Sequence, residues 1–243
     1  MIELTIRPDL IAAHAAAWRH VTSPGGSWMR DERAAIAEPT LAALDDSDPL
    51  PPWVSPSSVG RTAPAAQILP EEVTDAIYRI ARYASSLTDG WYQTQLELGI
   101  DPFAYVEMVA VVVAVAMVDG FCRAAGFERP PLPTPLAGVP SGKHPHVERA
   151  TLNWVPVAAP ADRTAAVVQG LSAAPGEVDN VGRLAAAQYI PFDEMGELGW
   201  SRGTLSRSEM ELVAPRLSAV RAEVARAAIV DRLVLTGSSM PRR

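Results

Sequence analysis

Six side chains in this 243-residue chain have types and spacings that could do chemistry: Glu107, Asp119 and Cys122 on one stretch, Glu211, Glu223 and Arg226 on another. Cys122 is the sole cysteine, so it can act only as a lone nucleophile. A nucleophilic thiol must be a thiolate, usually supported by a nearby cation. Asp119, three residues earlier on the same helix face, would instead hold the thiol protonated. Glu223 and Arg226 stand at i, i+3, where a carboxylate and a guanidinium can anchor a polar substrate or exchange protons. The same spacing also describes an ordinary helix-surface ion pair contributing a few tenths of a kcal/mol. Glu211 could be a base facing the interior, or a first-turn carboxylate that complements the helix dipole. Glu107 precedes Asp119 by about 18 Å along a straight helix, so any site joining them must recruit another helix or subunit.

The elements that would position these groups are helices. The run "MVAVVVAVAMV", 108 to 118, lies between Glu107 and Asp119. A membrane-spanning helix needs about 20 apolar residues, which this run does not supply. Asp101-Pro102 reads as an N-cap followed by proline at the first helical position, and Gly126 as the C-terminal stop. A core helix over 101–125 follows, too long for a strand. Other helices are expected over 8–20, from Met29 until Pro39 kinks or ends it, from Pro70 to Ser85, from Thr88 or Asp89 to Gly99, over 161–173 and over 176–189. Ser206-Arg-Ser-Glu209 forms a capping box for a last helix running to Leu235, with a kink at Pro215 and a stop at Gly237. Residues 45–66 read as an irregular loop and 127–150 as an extended proline-rich connector. The expectation is a single all-α domain, 1–243. Its N-terminal half is 1–126 and its C-terminal half 151–243, each built on one long helix.

Composition narrows the function classes. The net charge is −7, Lys143 is the only lysine, and no basic cluster exceeds Arg242-Arg243, so nucleic-acid binding is not expected. "MIELTIRPDL" lacks a signal-peptide pattern, which makes a cytoplasmic setting the expectation, with no membrane association. His14 and His20 are six apart and do not share a helix face, and His144-Pro-His146 has no carboxylate cluster beside it, so no metal is expected. The six tryptophans are scattered, and no phosphate-binding, dinucleotide, hydrolase-elbow or zinc-protease motif occurs. No cofactor is expected.

The two long helices align at an offset of 104 residues. "EMVAVVVAVAMVDGFCRAAG" begins at Glu107 and "ELVAPRLSAVRAEVARAAIV" at Glu211, with Glu, Val and Ala shared at the first, third and fourth positions. With these segments the chain resembles the alkylhydroperoxidase D-like and carboxymuconolactone decarboxylase-like superfamily over about residues 20 to 235. Redox members carry a Glu, a Cys-x-x-Cys beginning twelve residues later, and a His four residues after the second Cys. Here Glu211 matches the proton-relay Glu, Glu223 and Arg226 stand at the cysteine positions, and Val230 at the histidine. In the other half Glu107, Asp119, Cys122 and Gly126 take those places. The dithiol is absent. The resemblance implies a helical bundle of two pseudo-repeated halves and a homo-oligomer. It also implies a small organic molecule bound or transformed in a polar helical pocket by Glu211, Glu223 and Arg226. A non-catalytic ligand-binding or scaffold protein is the second reading. A one-cysteine peroxidase using Cys122 and an external thiol is the third.

Overall fold

The computed structural model describes residues 5–46, 68–149, 153–158, 166–197 and 199–213, and over these the chain is mostly helical. The helices are α1 (Pro8–Val21), α2 (Arg30–Asp45), α3 (Glu71–Tyr83), α4 (Asp89–Glu97), α5 (Pro102–Ala125), α6 (Ala166–Leu171) and α7 (Pro175–Gln188). Two antiparallel pairs of two-residue strands accompany them: β1 (Glu148–Arg149) with β2 (Pro156–Val157), and β3 (Ser201–Arg202) with β4 (Leu205–Ser206). The second pair is a hairpin, turning at Gly203 with φ +59°, a conformation glycine adopts without steric cost.

The centre of the bundle is α5. The Asp101 carboxylate accepts from the Phe103 and Ala104 N–H groups at 2.9 and 3.1 Å. Gly126, at φ +71°, turns the chain so that Phe127 N–H reaches Cys122 O at 2.8 Å. Between these caps the valines survive their weak helix propensity because they are packed on several sides. α1, α2 and α3 lie against one part of α5, and α6 and α7 against another. Met108, Val111, Val112, Val115 and Val118 enter the main core, while Val106 and Ala110 join Leu171, Ala173 and Val181 in a second cluster. By length and composition α5 could cross a bilayer, but 67% of its most apolar window is buried among other helices.

Pro39 does not end α2, which continues to Asp45. Proline's fixed φ suits a helix, and its cost is the missing N–H. The adjacent Thr40 hydroxyl donates to Ile36 O at 2.8 Å, covering a carbonyl beside the interruption.

The described residues form two compact units, one reaching Asp193 and the other starting at Glu194. The proline-rich segment 127–147 lies inside the first. Leu136, Ser141 and Gly142 donate their N–H groups to the carbonyls of Thr22, Gly25 and Gly26 at 3.2, 2.9 and 3.0 Å. Instead of spacing two halves apart, this segment is laid along the α1–α2 loop. In the second unit Ser206 and Glu209 make the expected capping box, with Ser206 N–H to Glu209 Oε2 at 2.8 Å and Glu209 N–H to Ser206 Oγ at 3.3 Å. A helix follows, described over 207–213. The rest of the expected last helix, and with it the alignment of the two halves, lies outside the described residues.

Candidate functional site

Four charged or ionisable side chains from four helices converge beside α5. Arg33 of α2 is fully buried and donates through Nη1 to Glu107 Oε1 at 2.6 Å and to Glu177 Oε1 at 2.7 Å. Its Nε and Nη2 donate to the carbonyls of Val21 and His20, both at 3.2 Å. The other oxygen of Glu107, Oε2, accepts from the Gly26 and Ser27 N–H groups at 2.9 and 2.7 Å. The His20 Nε2 lies 2.9 Å from Glu177 Oε1, and with an ionised carboxylate the ring nitrogen is the donor.

Local sequence explains this convergence. "SPGG" between α1 and α2 breaks the chain and brings two consecutive N–H groups to one carboxylate oxygen. A side chain at Gly25 would overlap the Glu107 carboxylate and lie 2.8 Å from Arg33 Nη1. Glu177 is the third residue of α7, after Pro175 and Gly176, where a carboxylate complements the helix dipole. Burial pushes the Glu177 carboxyl up, but the hydrogen bond from His20 and the charge of Arg33 outweigh it and hold the group below its ordinary range. Burial opposes the Arg33 charge, and the two carboxylates more than restore it.

His20, Glu107 and Glu177 border a cavity of about 340 Å³. Its walls are Pro24 to Ser27, Phe103, the connector residues Ser141, Lys143 and His144, and residues Ala173 to Gly176 leading into α7. The His144 ring stacks on Phe103 with centroids 4.2 Å apart. Among the described residues Glu177 Oε2 is buried and has no hydrogen-bond partner. Three of four carboxylate oxygens are therefore satisfied by the protein, and the fourth belongs to a residue on the cavity wall. A buried acceptor left unpaired costs about 1–3 kcal/mol, which a ligand donating to it would recover.

The remaining sequence-derived candidates lie elsewhere. Asp119 is buried but paired: Arg123 Nε donates to it at 2.7 Å, and Arg129 approaches at 2.6 Å. Both arginines also reach Asp45, making a half-exposed network at the end of α5. Cys122 is buried beside it. Burial pushes its thiol up and Asp119 adds to this, against the opposing charge of Arg129. The thiol is thus held in its unreactive form. We expect it to react with a disulfide reagent at pH 8 roughly tenfold or more slowly in the native protein than in the unfolded chain; equal rates would contradict the burial. Glu211 is exposed and accepts from Arg207 Nε at 2.7 Å within the smaller unit. Glu223 and Arg226 lie outside the described residues.

Of the four sequence candidates among the described residues, Glu107 alone borders this cavity. His20, Arg33 and Glu177 were missed. Arg33 carried one signal, an arginine followed directly by the apolar "AAIA" on its helix. Glu177 and His20 carried none, since they are 157 residues apart. His14, the other histidine of α1, is core: its Nδ1 donates to Leu10 O at 2.8 Å and its ring stacks on Phe121. Among the described residues no group of three or more His, Cys, Asp or Glu is placed to hold a metal ion.

No family model, curated protein or solved structure matches this chain.

Proposed function

We propose that the chain binds a small organic molecule in the cavity walled by His20, Glu107 and Glu177, through a hydrogen-bond donor on the ligand that meets Glu177. The observation that carries this is Glu177, a residue on the wall of a cavity of about 340 Å³ whose buried Oε2 has no hydrogen-bond partner among the described residues; the cavity is within the usual size range of organic-ligand sites. Preorganisation supports it as well. Arg33 and the Gly26–Ser27 N–H groups fix both carboxylates before anything binds, so little ordering is left for association. His20 is hydrogen-bonded to Glu177 and is half-buried. The pair could move a proton to or from a bound molecule, and an acid–base step on the ligand is the enzymatic form of this proposal.

The sequence resemblance fits the same picture: an alkylhydroperoxidase D-like bundle that lacks the dithiol and keeps a polar helical pocket, in a cytoplasmic homo-oligomer. The pocket's groups would be Glu107 with Glu177, His20 and Arg33, in place of the Glu211, Glu223 and Arg226 set. Peroxidase chemistry at Cys122 is disfavoured by its buried, pair-flanked position, and a Cys122→Ala variant should consume peroxide no differently from the parent chain.

A panel of small amines, amides, alcohols and carboxylates, screened by thermal shift, tests the binding reading. Donor-bearing members are expected to raise the melting temperature of the parent protein. Their affinity should fall roughly tenfold to a hundredfold in Glu177→Gln, as expected for a hydrogen bond to a charged group. Stabilisation that is indifferent to Glu177→Gln, or confined to molecules without a donor, would overturn it.

A further inference from the structure

A second cavity, of about 390 Å³, opens on the other side of α5 and lacks the charged wall of the first. Its walls are apolar: Ile80 and Ala81 of α3, Val106, Val109 and Val113 of α5, and Leu171 of α6. The α5 positions recur at helical spacing, so they form one stripe along the helix. Charged side chains are absent among the residues that line it. The single hydroxyl on its wall is that of Tyr105, a residue 5% exposed. Tyr105 packs edge-on against the rings of Tyr92 and Trp91, with centroids 4.8 and 6.3 Å away. Among the described residues its phenol oxygen has no hydrogen-bond partner. Burial pushes the phenol well above its ordinary range, so it is a neutral O–H that can donate.

An apolar cleft with one unpartnered donor specifies its ligand: apolar body, one acceptor. Both sides gain, because apolar surface leaves water and the Tyr105 hydroxyl donates to the ligand's acceptor. We infer that this cleft is a second ligand site, which takes a small hydrophobic molecule with an alkyl or aryl body and one carbonyl or ether oxygen accepting from Tyr105. The size of the cleft lies within the range of organic-ligand sites, and its concavity suits such a molecule better than a flat protein partner. It shares no lining residue with the polar cavity, so it stands whether or not the polar site binds its own ligand.

The test is calorimetric titration of the full chain with 2-nonanone, a nine-carbon ketone with one acceptor. Binding is expected in the parent protein. Tyr105→Phe keeps the ring and removes the donor, and should weaken binding roughly fivefold, the worth of one neutral hydrogen bond. Val109→Trp, on the stripe, should fill the cleft and abolish binding while circular dichroism stays unchanged. Val113→Phe, one turn further along, serves if the first substitution disturbs folding. No binding by the parent protein, or equal binding by Tyr105→Phe, overturns the proposal. So does a change of sedimentation in Val109→Trp, which would assign the stripe to a second copy of the chain.

Discussion

Replacing Arg33 by Met should lower the unfolding free energy by about 3–5 kcal/mol, the cost of leaving buried charges without their partner. For a chain of this size that is a fall in melting temperature of roughly 6–20 °C. Arg33 is fully buried and holds two carboxylates at once, at 2.6 and 2.7 Å. Met has similar length and would fill the space, so packing is nearly kept and charge alone is removed. The pH dependence separates this from a packing effect. The folded-state pKa of Glu177 is depressed below the unfolded value of about 4.3. The stability it contributes is therefore fully present above that unfolded value and lost as pH falls through the folded one. In Arg33→Met burial acts on Glu177 without the guanidinium, so the depression should shrink or reverse. The gap between parent and variant is then widest near neutrality and narrows below about pH 4. A gap that stays constant down to pH 3 in chemical-denaturation curves would show that the effect is packing and not charge.

Gly25→Ala should be nearly as damaging, at about 2–4 kcal/mol, although it adds only one carbon. The added Cβ would overlap the Glu107 carboxylate and crowd Arg33 Nη1 at 2.8 Å. Overpacking alone costs about 1–3 kcal/mol, and moving Glu107 also strains its ion pair. Gly26→Ala is the matched control. Its Cβ would meet Glu107 Oε2 at 3.4 Å, an ordinary contact, so a cost below about 1 kcal/mol is expected. Equal melting temperatures for the two variants would contradict the close approach at Gly25.

These two residues also show what was legible in the sequence. The long helix was, because its signals are local: Asp101 and Pro102 open it, Gly126 closes it, and each acts within a turn of itself. The same holds for Thr88, whose hydroxyl accepts from Trp91 N–H at 3.2 Å, and for the Ser206–Glu209 box. Glu107 was legible as a residue able to do chemistry, but its partners were not. Arg33 is 74 positions away and Glu177 a further 70, and nothing in periodicity or capping relates residues at such separations. "SPGG" read as a break, which it is. That the break also presents two N–H groups to a carboxylate depends on where α5 lies in space. The connector misled for a related reason. Proline-rich composition reports local stiffness, whereas its packing along the α1–α2 loop rests on backbone groups that every sequence has. Asp119 and Cys122 were rightly paired by helical spacing, yet the arginines that claim Asp119 come from one turn on and from beyond the helix end.

The most direct measurement of the central claim is an amide ¹H–¹⁵N titration of the parent protein with the best donor-bearing molecule from the thermal-shift panel. The account predicts the largest shifts at Gly26, Ser27 and Gly176 on the cavity wall, with the Cys122 amide unmoved. Shifts that leave the cavity amides in place and cluster around Asp119 and Cys122 would contradict it.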